Sequence, residues 1–148
     1  MSKINYIDTR RATIAMLRDF RDQQWKLERA PERIREIDER MRAIRSPSAE
    51  ATPVHGGGNR REESLCAAID QKDIAVRDLN QAQEYTRDFM PCWERLTDDE
   101  RFILTARFID RDEGGGIQTI MRKYHVERAE AYNRSNEALA RLSKLLYW

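Results

Sequence analysis

All six glycines of this 148-residue chain stand in two triplets, Gly56-Gly57-Gly58 and Gly114-Gly115-Gly116. The other backbone breakers are Pro31, Pro47, Pro53 and Pro91. A β-rich domain needs Gly or Pro at a turn roughly every ten residues. The chain offers nothing of the kind, so the distribution predicts an all-α fold built from long helices. Charged residues make up 36% of the chain and both signs are interspersed. Disorder favours a large net charge and few aromatics, whereas mixed charge suits the solvated faces of helices.

The length fits one domain or two small units, each with a modest core. A net charge of +1 gives no global field that would draw in nucleic acid or a membrane. Apolar stretches of only a few residues predict no membrane span. The opening MSKINYIDTRR lacks a hydrophobic signal segment, which points to a reducing cytoplasm. Cys66 and Cys92 have no companion cysteines, and only His55 and His125 could join them. A zinc site needs four ligands in tight pairs. Both cysteines therefore read as small hydrophobes, and neither a metal nor another cofactor is expected.

Residues 8–45 read as helix. Leu27, Ile34 and Met41 recur every seventh position, and Ala30, Ile37 and Ile44 repeat three residues later. This 3-4 spacing makes a coiled-coil-like seam. It serves equally as one face of a helical bundle or as the interface of a homodimer. Leu27, Ile34, Ile37, Met41 and Ile44 are thus the candidate partner or oligomer surface. Pro31 predicts a kink or break near residue 30. Residues 46–61 read as a linker rich in small, polar, Pro and Gly residues. Asn59 followed by Glu62 looks like the start of the next helix. That helix carries Leu65, Ile69, Val76, Leu79, Ala82, Phe89 and Met90 as its apolar face and is expected to end at Pro91. Packed on the first, it gives a long hairpin over residues 1–90.

Thr97-Asp98-Asp99-Glu100 has the form of a capping box, threonine on a first-turn N–H and Glu100 reaching back. Three acids at a helix N-terminus are stabilised by the helix dipole and need no catalytic role to explain them. Phe102 to Ile109 continue as a short helix that stops in the Asp110–Gly116 segment. A helix over 117–124, a tight turn at His125-Val126 and a long helix from Glu127 to about Leu146 then spell a helix-turn-helix. Ile120, Tyr124, Val126 and Ala131 hold four of its apolar positions. Arg134 stands where a further apolar residue is usual, and His125 where positive φ favours glycine.

Charge is segregated within this C-terminal part. Residues 97–121 carry three basic and six acidic side chains, and residues 122–148 carry six basic and three acidic. Projected at 100° per residue with Ala131, Ser135, Ala138 and Leu142 inward, the long helix turns Ala129, Asn133 and Asn136 outward. Arg128 and Tyr132 flank its N-terminal end. Asn suits adenine and Arg suits guanine in the major groove. A plain solvated helix face would carry the same residues.

The stretch Leu96–Leu142 resembles region 4 of the σ70-type transcription initiation factors. It shares the LTDDER start, an Ile-containing helix, the Tyr-His-Val turn and a closing Ala-Leu-x-x-Leu. It is also similar to sigma-like activators encoded by phages and prophages. The resemblance implies a DNA-binding transcription regulator whose recognition residues are Arg128, Ala129, Tyr132 and Asn133, with Arg122 and Lys123 nearer the phosphates. It implies double-stranded DNA as partner, with RNA polymerase as a second through the acidic helix 98–109. Where the family opens this helix with Ser or Thr and basic residues, the chain has Glu127 and Glu130. Both acids oppose phosphate, so binding is expected to draw on polymerase or a second protomer. No segment matches the parts of a sigma factor that bind the −10 element.

The expected organisation is therefore a helical hairpin over 1–90, with linker 46–61, and a helix-turn-helix domain over 92–148. The competing reading is a helical protein-interaction module with a vestigial helix-turn-helix. It would be a host-factor binder or inhibitor, or a small DNA-packaging subunit, and the 27–44 seam would be its working surface. An enzyme is not expected: neither glycine triplet has the spacing of a nucleotide loop, and no nucleophile–base pair is evident.

Overall fold

The computed structural model describes residues 3–46, 57–111 and 113–148, and all of their regular structure is helical. Helix α1 spans Lys3–Arg45, α2 Gly57–Glu94, α3 Asp98–Leu104, α4 Ile117–Tyr124 and α5 Arg128–Tyr147. A π-helical turn, Thr105–Ile109, extends α3. The all-α class is as expected. Residues 47–56, most of the anticipated linker and Gly56 of the first triplet, lie outside the described residues.

The chain divides into two compact units. One comprises residues 24–83; the other joins residues 1–23 to 84–148. This differs from a boundary at residue 91. The cause is an aromatic stack, in which Phe89 lies 5.6 Å from Phe20, 5.1 Å from Tyr85 and 5.5 Å from Trp93 between ring centroids. These rings share one core with Leu104, Ile120 and Leu142. Both long helices thus give one end to the C-terminal unit.

In the unit of residues 24–83 the helices run antiparallel, as the order of their side-chain contacts shows. Lys26 pairs with Asp78 at 3.9 Å, Asp38 with Lys72 at 2.7 Å, and Arg40 donates to Gln71 at 2.9 Å. Arg61 donates to the carbonyls of Ile44 and Ser46 at 2.6 and 2.8 Å, covering oxygens that the end of α1 leaves unpaired. Ile37 and Met41 are buried against Ala68 and Ala75, with Ile34 and Leu65 beside them.

Several local expectations are corrected. Pro31 does not break α1, which runs through it. It stands on an exposed position, and the helix forgoes only the bond that an N–H at residue 31 would have made to the Leu27 carbonyl. Pro91 likewise lies inside α2 rather than at its end. Asn59 is not a cap, because α2 already begins at Gly57. The buried line of α2 is Ala68, Ala75, Ala82, Phe89 and Trp93. Leu65, Val76 and Leu79 are only half-buried, and Ile69 is exposed. Alanines every seventh residue let two backbones approach closely, so the larger side chains flank the seam instead of filling it.

Candidate nucleic-acid interface

The C-terminal unit starts from the expected cap. Thr97 Oγ1 accepts from the Glu100 N–H at 3.2 Å, and the Thr97 N–H donates to Glu100 Oε1 at 3.0 Å. Each of the three acids then has a structural partner. Asp98 pairs with Arg101. Asp99 accepts from the Tyr124 hydroxyl at 2.9 Å. Glu100 also takes Arg141 of α5 at 2.6 Å. Arg101 in turn donates to the carbonyls of Trp93, Glu94 and Leu96, closing the end of α2.

Between α3 and α4 the second glycine triplet makes a left-handed turn, with φ of 68°, 70° and 83° at Gly114, Gly115 and Gly116. Gly116 has a second requirement. A Cβ there would sit 2.0 Å from the Ala106 carbonyl oxygen, inside the π-turn. Arg107 fastens the same turn by donating to Gly115 O at 2.9 Å.

Helix α4 ends at His125, which adopts the left-handed conformation with φ 53° and ψ 47°. The N–H of Val126 returns to Met121 O at 3.2 Å. Glu127 occupies the N-cap of α5 without a side-chain cap bond. Ala131, Ser135, Ala138 and Leu142 are buried, as the projection predicted, together with Leu139. The candidate readers Arg122, Lys123, Arg128, Tyr132, Asn133 and Asn136 are all exposed, as is Ala129.

Their surroundings are less uniform than their exposure. The Lys123 ammonium lies 5.3 Å from the centroid of the Phe102 ring. Arg107 covers a face of Tyr132 at 5.4 Å. Arg134, anticipated as out of place, stands over the Tyr124 ring at 5.3 Å and pairs with Glu130 at 3.1 Å. It fills the space of an apolar residue with its stem and its cationic plane. Glu130 is therefore partly neutralised, although it is exposed, as Glu127 is. Burial of Tyr124, aided by its bond to Asp99, pushes its hydroxyl pKa up to about 12 against a smaller opposing pull from Arg134. Asn136 accepts from Arg10 of α1 at 3.3 Å. Nothing in the local pattern announces that contact, because its partners are 126 residues apart.

The candidate partner surface lies elsewhere. Ile37 and Met41 are buried by α2, and Leu27, Ile34 and Ile44 are half-buried. The large apolar side chains most open to solvent in this unit are instead Trp25, 62% exposed, and Ile74, 56% exposed, with Ile69 less so. Trp25 and Ile74 line one groove floored by Ala30 and Ala75. Among the described residues no cluster of His, Cys, Asp and Glu is placed to hold a metal ion. No helix among them is long and apolar enough to cross a membrane.

No family model matches the chain, and neither a curated protein nor a solved structure does.

Proposed function

We propose that the chain is a DNA-binding transcription regulator of phage or prophage type that reads promoter DNA through α4 and α5. One observation carries this reading. A left-handed residue at His125 joins two helices that bury one stripe and leave Arg122, Lys123, Arg128, Tyr132 and Asn133 on the outside. A helix presenting Arg and Asn beside a basic lead-in has the chemistry to enter a major groove and engage flanking phosphates. The acidic α3, with Glu100 and Asp99 already bonded to α5 and α4, supports these two helices from behind. RNA polymerase is the second partner in this reading, and the bacterial cytoplasm its place.

A binding selection on random duplexes, with and without bacterial RNA polymerase, tests the proposal. An enriched motif is expected, and Arg128→Ala or Asn133→Ala should change the preferred base at one position each. Lys123→Ala should weaken all sequences alike. Absence of any enriched motif in both arms sinks the idea.

The exposed Trp25 and Ile74 favour a second reading, a helical protein-interaction module. Under it, the chain's activity survives changes at Arg128, Tyr132 and Asn133 and fails with Trp25→Ala.

A further inference from the structure

The bond between Arg10 and Asn136 has a consequence for base selection. Arg10 Nη2 lies 3.3 Å from Asn136 Oδ1. A guanidinium has only donors, so the atom that faces it must be the amide oxygen. This fixes which end of the amide is left over: the Nδ2 group, with its two N–H donors. The same two residues border a shallow groove along α5 with Leu139, Ala140 and Ser143. Asn136 also follows Asn133 on the outward face of that helix.

A free asparagine favours adenine because it accepts from N6 with its oxygen while donating to N7. Arg10 takes one of the oxygen's two lone pairs and sets a positive charge beside the other, which disfavours the N6 donor of adenine and weakens the accepting half of that pairing. Guanine presents two acceptors, N7 and O6, on the same edge. We propose that Arg10 is a positioning residue that turns Asn136 from an adenine reader into a guanine reader. The inference rests on the proposed DNA-binding role and adds a specificity determinant far outside the helix-turn-helix.

The test is a competition between duplexes that differ at a single base pair, using the full chain and its Arg10→Ala, Arg10→Lys and Asn136→Ala variants. The duplexes come from the motif enriched by the wild-type chain, and the position is the one whose preference Asn136→Ala erases. Guanine is expected there in the wild type. Arg10→Ala should shift the guanine-to-adenine ratio about fivefold or more toward adenine, and Arg10→Lys should restore guanine. Phosphate contacts are common to both duplexes, so the ratio is blind to a purely electrostatic role for Arg10. If Arg10→Ala weakens both duplexes equally and leaves the ratio alone, the inference is overturned and the DNA-binding role stands. The same follows if Asn136→Ala alters no position of an enriched motif. If the wild type enriches no motif at all, both fall together.

Discussion

Gly116 is the residue whose replacement the fold should tolerate least. Its φ of 83° is unfavourable for any L side chain, and a Cβ would overlap the Ala106 carbonyl. Gly114 shares the left-handed conformation, but there a Cβ would meet only Gln118 Cγ, at 3.3 Å. Gly114→Ala should therefore cost about 1 kcal/mol, and Gly116→Ala on the order of 3 kcal/mol or more. Urea unfolding of the two variants measures the difference; equal losses would mean that the close approach to Ala106 is unimportant. His125 gives the reverse case. It holds φ 53° at the end of α4 with a Cβ that this conformation penalises. His125→Gly should stabilise the chain by up to about 1 kcal/mol, seen as a raised Tm, and His125→Val should lower it.

Tyrosine ionisation acts at the same scale. Burial raises the Tyr124 hydroxyl pKa from 10.0 to about 12, and burial likewise raises Tyr85, with Asp19 adding to the shift. Tyr85 also donates its hydroxyl proton to Met16 O at 2.5 Å. The neutral forms are favoured by folding, so their contribution is complete below pH 10. It is lost as pH rises from there through the raised values, because the folded state then resists a deprotonation that the unfolded chain accepts. Stability should accordingly fall between pH 10 and 12. Tyr124→Phe should flatten part of that fall in denaturant titrations at successive pH values.

At the scale of elements, the start of α3 was the most legible feature. The Thr97–Glu100 box appears with both of its bonds, and Thr97→Ala should cost about 1 kcal/mol in thermal unfolding. The α4–turn–α5 boundaries were legible too, since apolar spacing and one strained turn position specify them locally. The buried line of α2 was not. Ranking side chains by size selects Leu65, Ile69, Val76 and Leu79, yet the buried positions are Ala68, Ala75 and Ala82. Helix separation decides between them, and a single strand of sequence does not encode separation. The two prolines show the same thing from the other side. Each is a breaker by its chemistry, yet Pro31 and Pro91 sit inside continuous helices at exposed positions.

For the whole molecule, burial of Ile37 changes what a substitution there reports. Ile37→Asp puts an unpaired charge among Met41, Ala68 and Ala75 and should destabilise residues 24–83 by roughly 3 kcal/mol or more. Hydrogen exchange should show the loss as faster exchange in that unit. A partner-binding defect in this variant would then reflect unfolding, and Trp25→Ala is the cleaner probe of a docking surface. If the chain binds DNA as proposed, its affinity should drop steeply with salt despite the net charge of +1. Arg122, Lys123 and Arg128 are exposed together on one of the two units.

What the sequence determined by itself is local. Glycine placement ruled out a β fold, periodicity marked the helices, the Thr97 box opened α3, and projection sorted the inward from the outward side of α5. Each depends on residues within a turn or two of one another. The tertiary structure alone decided that Phe20 and Phe89 join the core of Leu104 and Leu142, that Arg134 lies over Tyr124, and that Arg10 holds Asn136. Such contacts depend on how far apart two helices settle and how they are rotated. Those quantities emerge when all the side chains between the helices are packed at once.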